Sequence, residues 1–415
     1  MTATVPINKR SLAAYSAGKI LPGALLFVAV PVWTRAFGAE QYGLYAIAWS
    51  VTLFSSSLTT GWLRQAILRN AGSEGASLSD LPRWTFVFVA GASAVPVGLL
   101  MLLQLRHTSQ PGAFLLVGVS FAVANSIYTV RQAVAQRDGL STRFTSAEII
   151  RVILALGLSL LLGAVTELDG AVCVLTAFVS GTCAGILVLV WRAATPSTRT
   201  ETSLRGDVLR RFWMYGWPMT IWLAASSILL YVDRLIISAT LGAESAGQYA
   251  AISDVIVRGF AMLTFPLTMV SHPLVMRAWN DGRRQEALAS NGTYRKYLLW
   301  LAGATVLIGA AVGRPLLELG LSIEVDSPLI VPLLLLGAGL WQAGLMTHKE
   351  LELTNRTRTM AALIVAIAVV SAGLNILLTP VLGLVGPAAV FALGAGLYTT
   401  ITALLGASTR RRERR

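Results

Sequence analysis

Continuous runs of about 20 apolar residues recur twelve times along this chain, and few folds accommodate that. The runs centre on 15–36, 43–63, 84–105, 112–134, 146–165, 170–191, 213–240, 247–273, 297–317, 328–347, 359–379 and 385–406. In hydrocarbon every backbone N–H and C=O must be paired within the protein, so only helices and closed barrels span a membrane. Barrel strands alternate polar and apolar residues over about ten positions, whereas these runs are uninterrupted. Charged residues make up 13% of the chain and apolar residues 55%, while a soluble domain carries roughly 25% charged residues. The composition excludes a soluble globule. The expected fold class is an all-α polytopic membrane protein with about 12 transmembrane helices.

The chain also repeats itself. From Gly38 it reads GAEQYGLYA and from Gly242 GAESAGQYA, six of nine positions identical at an offset of 204 residues. A second match pairs GLSLLLGAVTELDG from Gly157 with GLNILLTPVLGLVG from Gly373, seven of fourteen identical at an offset of 216. The polar stretch 276–296 accommodates the additional residues. The chain reads as two copies of one six-span unit. An even number of spans gives both copies the same orientation, so they are parallel repeats related by an axis along the membrane normal. The expected division is an N-terminal lobe at 1–195, a polar basic linker at 196–211 and a C-terminal lobe at 212–415 with a basic tail. Within the repeated motif, Gly38 and Gly242 are expected as left-handed helix caps. Gly43 and Gly247 are expected to allow close packing, and Tyr45 and Tyr249 to be aromatic anchors at interfacial depth.

Basic residues orient the spans. With the N-terminus in the cytoplasm, cytoplasmic segments hold 26 of the 33 lysines and arginines, and the outer loops only Arg35, Arg106 and Arg314. This asymmetry matches the positive-inside rule. It also accounts for the net charge of +13 as a topogenic signal facing anionic headgroups, without invoking nucleic acid. The expected location is the cell (inner or plasma) membrane with both termini cytoplasmic. The polar residues 1–10 are short and the first run is long enough to stay as a span, so no cleaved leader is expected. Cys173 and Cys183 share one run, ten positions or about 15 Å apart along a helix, too far for a disulfide. The connecting segments are short and contain no G-x-x-x-x-G-K-[ST] loop, so no ATPase domain is expected within the chain. Nothing suggests a cofactor or a metal, and His107, His272 and His348 have no ligand spacing.

Ionisable residues inside apolar runs are expensive and mark functional sites by default. Lys19 lies in the first run, Asp233 and Arg234 in the seventh, Asp254 and Arg258 in the eighth. Asp254 and Arg258 are spaced i, i+4 on one helical face and can pair. Asp233 and Arg234 point about 100° apart, so one of them needs a partner elsewhere, and a cross-helix pairing such as Asp233 with Arg258 is sterically allowed. Glu148 and Arg151 begin the fifth run and read as an ion pair at headgroup depth. The structural alternative for these residues is an ion-pair network that holds helices together.

The stretches P-V-W-T-R-A-F-G-A-E-Q-Y-G-L-Y and D-R-L-I-I-S-A-T-L-G-A-E-S-A-G-Q-Y resemble the polysaccharide-transporter branch of the multidrug/oligosaccharidyl-lipid/polysaccharide (MOP) exporter superfamily, which contains the O-antigen and capsule repeat-unit flippases. The resemblance runs from about residue 19 to 405. It implies two six-helix lobes around a central cavity that opens alternately to either side. The cargo it implies is an oligosaccharide linked through pyrophosphate to a polyprenol. Lys19, Arg234 and Arg258 are then the expected substrate-binding cations, and Asp233 and Asp254 the charge-pairing or coupling acids. Drug exporters of the superfamily often carry an acid in the first span, where this chain has Lys19. Implied partners are the lipid-linked oligosaccharide, membrane lipids, a polysaccharide polymerase and glycosyltransferases, with no nucleic acid.

Two other classes fit less well. A secondary transporter of another class, a major facilitator or a drug or ion antiporter, shares the helix count. The major facilitator turn between spans two and three carries an Asp-Arg core, and here that stretch reads GWLRQAILRNAG. A polytopic sugar polymerase or ligase uses a large outer loop, and none of the outer loops here is large.

Overall fold

The computed structural model describes residues 9–69, 83–191, 205–354 and 356–413. All regular structure among them is helical: α1 (Lys9–Arg69), α2 (Arg83–Leu102), α3 (Pro111–Arg137), α4 (Ser141–Val165), α5 (Gly170–Val190), α6 (Arg205–Leu241), α7 (Ala243–Asn280), α8 (Arg284–Leu321), α9 (Ile330–Thr347), α10 (Lys349–Leu353), α11 (Thr357–Leu382) and α12 (Val385–Glu413), with one 3-10 turn at Leu105–His107. Nine of these helices have long enough apolar stretches to cross a membrane. The first, α1, holds two of the expected runs in 61 residues. Of the other two expected runs, α2 offers the shorter apolar stretch Val87–Leu102, and α7 carries Asp254 and Arg258 within its length. The protein is an all-α, multi-pass membrane protein.

Two glycines set the outline of the repeated motif. Gly38 breaks α1 at φ 83° and ψ 164°, and Gly242 separates α6 from α7 at φ 96° and ψ 168°. Positive φ was expected at both, but not this ψ. The pair lies in the extended positive-φ region that is essentially closed to residues with a Cβ, rather than in the left-handed helical region. A single residue there redirects the chain, so helix resumes at once on the far side.

The chain divides into two compact units, one of 1–26 with 48–224 and the other of 27–47 with 225–415. Each therefore takes in part of α1 and part of α6. Residues 192–204, which hold most of the expected linker at 196–211, lie outside the described residues, and α6 begins at Arg205. The side chains of the basic tail from Arg410 onward also lie outside them.

In the first unit α5 packs on α3 and α4, and α2 on α3. Gly181 and Gly185 make this closeness possible: a Cβ on Gly181 would stand 2.4 Å from the Arg151 carbonyl oxygen, and one on Gly185 2.8 Å from the Tyr128 ring. Small residues at such contacts let backbones approach where no hydrophobic driving force separates helix from lipid. Trp49 packs against Phe121 and Phe178, with ring centroids 5.4 and 4.9 Å away. At one end Asp169, the residue before α5, ties two loops together. It accepts hydrogen bonds from the Thr108 hydroxyl (2.6 Å), the Ser109 hydroxyl (2.6 Å) and the Ser109 N–H (3.0 Å). Partial burial works against its charge, but these donors hold its pKa below the ordinary value. Cys173 is buried and Cys183 exposed, and both are free thiols.

In the second unit α9 is central, packed on α7, α8 and α12. Its polar seam with α12 is hydrogen-bonded throughout: the Thr399 hydroxyl donates to the Leu340 carbonyl (2.6 Å), the Thr347 and Thr402 hydroxyls pair, and His348 Nδ1 pairs with the Tyr398 hydroxyl at 3.0 Å. The two copies of the repeated motif meet in this unit. A Cβ on Gly43 would lie 2.6 Å from the Ala243 carbonyl oxygen, and one on Gly247 only 1.7 Å from the Ala39 carbonyl oxygen. Each copy supplies the glycine that the other copy's backbone requires.

Candidate functional site

The interior charges of α6 and α7 converge on one carboxylate. Asp254 Oδ1 accepts from Arg234 Nη2 across the two helices at 2.6 Å, and its Oδ2 accepts from Arg258 Nη2, one turn along α7, at 3.1 Å. A third donor comes from the other copy of the motif, since the Tyr42 hydroxyl reaches Asp254 Oδ2 at 2.6 Å. The expected i, i+4 pair is present. The cross-helix pair joins Arg234 to Asp254 rather than Asp233 to Arg258, and local geometry explains it. Asp233 accepts the Arg234 backbone N–H at 2.8 Å and meets the Tyr249 hydroxyl of α7 instead of Arg258. Arg234 then faces α7, which sets a cation rather than a second carboxylate against Asp254.

Burial separates the two arginines. Arg234 is sealed, with 1% of its side-chain surface exposed, and its guanidinium also lies 5.0 Å from the Tyr231 ring centroid. Arg258 keeps 20% of its side-chain surface open. The backbone of Lys19 continues α1, but its side chain lies outside the described residues.

Reading the repeated motif as a turn with interfacial aromatic anchors missed its contribution to this site. Tyr45 and Tyr249 are 1% and 0% exposed. The Tyr45 hydroxyl lies beside Arg258 and the Tyr249 hydroxyl beside Asp233. Tyr42 stacks edge-on against Tyr45, and Tyr45 against Trp33, at centroid distances of 5.6 and 5.2 Å. The identity of Tyr45 and Tyr249 in both copies was the available signal. Tyr42 gave none, because its counterpart at the 204-residue offset is Ala246. The same offset sets Ala29, Val30, Ser50 and Phe54 opposite Asp233, Arg234, Asp254 and Arg258. Only one copy of the duplicated unit carries the charges.

The first unit holds a separate polar network. Glu148 accepts the Tyr128 hydroxyl at 2.5 Å and pairs with Arg151 at 3.2 Å. Arg151 also reaches Asn125 Oδ1 at 3.4 Å and lies over the Tyr128 ring at 4.8 Å. The expected ion pair is present, with its Arg151 and Glu148 side chains only 8% and 12% exposed, and it ties α4 to α3. In the second unit Glu350 is fully buried, 3.8 Å from Arg295.

By sequence, residues 9–279 match the family of polysaccharide biosynthesis proteins. No curated protein matches the chain. Among solved structures, an inward-facing multidrug resistance MATE family transporter of the MOP superfamily is similar at 16% identity and a TM-score of 0.63, over 97% of this chain and 98% of that one. An outward-facing structure of the same description gives 15% and 0.59, over 97% and 96%. A mutant of the Vibrio cholerae MATE transporter VcmN gives 14% and 0.63, also over 97% and 96%. Identities this low speak to the fold, and the fold is that of the MATE transporters. The match over 9–279 carries more, because it spans both copies of the motif and the four interior charges Asp233, Arg234, Asp254 and Arg258: this chain belongs to the polysaccharide biosynthesis protein family of membrane proteins.

Proposed function

We propose that this protein is a flippase that moves a polyprenyl-pyrophosphate-linked oligosaccharide, a polysaccharide repeat unit, from the cytoplasmic to the outer leaflet by alternating access. The observation that carries this reading is Arg258. A permanent cation within an apolar helix is costly. A purely structural one would be sealed as Arg234 is, yet Arg258 stays partly open. A partly exposed arginine on a membrane helix suits an anionic group, because its planar fork matches phosphate oxygens. Family membership supports a glycan as the remainder of the cargo. In this reading Arg258 contacts the pyrophosphate, Arg234 holds Asp254 in position, Asp233 accepts the Arg234 backbone N–H, and Lys19 supplies a second cation from the first span. The basic asymmetry of the loops supports cytoplasmic termini in the cell membrane. A flippase of this cargo would work beside a polymerase and glycosyltransferases.

Transport then runs on an ion gradient, the membrane potential or the substrate gradient. The test is reconstituted protein in vesicles with lipid-linked sugar on one face and no ATP. Movement of the sugar lipid that is lost in Arg258→Gln supports the reading. Export of drugs without movement of the sugar lipid would assign the protein instead to the multidrug resistance activity named for its MATE relatives. No acid lies between residues 9 and 37 to favour such cargo.

A further inference from the structure

Asp254 holds three donors on two oxygens, and the three are not equivalent. Arg234 occupies Oδ1 alone at 2.6 Å. Oδ2 is shared between Tyr42 at 2.6 Å and Arg258 at 3.1 Å. The longest of the three contacts therefore belongs to the most exposed donor. If Arg258 swings away, each carboxylate oxygen keeps one short hydrogen bond, and the charge of Asp254 stays balanced by Arg234. If Arg234 left, Oδ1 would lose its donor in a sealed site. The geometry allows one arginine to leave and retains the other.

From this we infer that Asp254 is a resident anion that occupies Arg258 until a diphosphate replaces it, and that Tyr42 is the positioning residue that makes the exchange possible. The inference rests on the lipid-linked pyrophosphate reading above and adds a selectivity device to it. A neutral headgroup cannot compete with a carboxylate for a guanidinium, and a monophosphate competes weakly. A diphosphate offers more charge and a bidentate match. The return of Arg258 to Asp254 after release gives the empty site a paired state, so no bare cation is left at depth. The exchange moves no proton and breaks no covalent bond. Specificity comes from the competitor as much as from the attraction.

The test uses the full-length protein in lipid nanodiscs, with farnesyl diphosphate and farnesyl monophosphate as probes. Wild type should prefer the diphosphate. Asp254→Asn removes the competitor: diphosphate affinity should rise about tenfold, the scale of one hydrogen bond to a charged group, and the preference over monophosphate should shrink. Tyr42→Phe keeps both ion pairs but leaves Oδ2 dependent on Arg258, so diphosphate affinity should fall about fivefold or more. A merely structural tyrosine would lower thermal stability and leave that affinity unchanged. Arg258→Gln should abolish diphosphate binding. If Arg258→Gln binds as wild type does, or wild type binds no diphosphate, the cationic site itself is overturned. If Arg258→Gln loses binding while Asp254→Asn keeps wild-type affinity and preference, the exchange alone fails. Should Asp254→Asn not accumulate, Tyr42→Phe decides, and unchanged diphosphate affinity in that variant overturns the exchange.

Discussion

Arg234 reaches Asp254 across α6 and α7 at 2.6 Å, and both side chains are almost wholly buried. The ion pair therefore joins the two helices that flank Gly242, and it fixes the carboxylate that Arg258 and Tyr42 share. Removing one partner of a buried pair costs about 3–5 kcal/mol, because the other charge is left uncompensated. Arg234→Ala should accordingly lower the amount of protein recovered from the membrane. Arg258→Gln should accumulate normally and lose glycan export, since Asp254 keeps two donors. Quantitative immunoblotting of membranes beside an export assay checks both, and equal accumulation of the two variants would contradict the division of roles.

The reciprocal glycine contact predicts a steep and local sensitivity. Gly247→Ala would bring a methyl to 1.7 Å from a backbone carbonyl oxygen, which cannot rotate away. The helices must separate there, at a cost of about 1–3 kcal/mol or more. Gly112→Ala, where a Cβ meets nothing within 4 Å, is the matched control and should be neutral. Thermal unfolding in detergent should show a clear loss for Gly247→Ala alone.

In the first unit, Tyr128→Phe removes the 2.5 Å hydrogen bond to Glu148 and leaves the Arg151 pair in place. A buried hydrogen bond to a charged group contributes about 1.5–3 kcal/mol, so this variant should be measurably less stable. Glu148→Gln leaves Arg151 without its carboxylate and should be worse. The order of their unfolding temperatures is the check.

The Asp169 clamp predicts an acid dependence. Its folded pKa lies below the unfolded value, so its stabilisation is complete above the unfolded pKa and is lost as pH falls through the folded one. The difference in unfolding temperature between wild type and Asp169→Asn should be largest near neutrality. It should shrink once pH drops below the ordinary aspartate value of about 3.9. A gap that stays constant across that window would mean that the clamp does not sense charge.

Topology is open to direct reporters. Fusions after Ala39, Glu167 or Glu244 should read external, and those after Gly75, Thr200 or Gly282 internal, as the basic asymmetry of the loops requires. One reproducible inversion among the six would break the expected arrangement.

The sequence by itself determined the class, the helical runs and the duplication, because each depends on local composition and spacing alone. A run of apolar residues must become helix in lipid whatever surrounds it. Gly38 and Gly242 could be expected at positive φ because only glycine takes such angles cheaply. The i, i+4 geometry of Asp254 and Arg258 likewise follows from one helix. Tertiary structure decided which charges meet. Arg234 had no local partner in the sequence, and its pairing with Asp254 depends on how α6 and α7 are rotated about their axes. Tyr42 lies 212 positions from Asp254, and no periodicity links them. The glycines at 43 and 247 were legible as close-packing residues, but not as packing against each other's turn. A hydrogen bond between distant segments depends on the approach of whole helices, which side-chain volumes and backbone contacts set together. For that reason the aromatic residues of the repeated motif read as anchors in the sequence and prove to be neighbours of the charges in the fold.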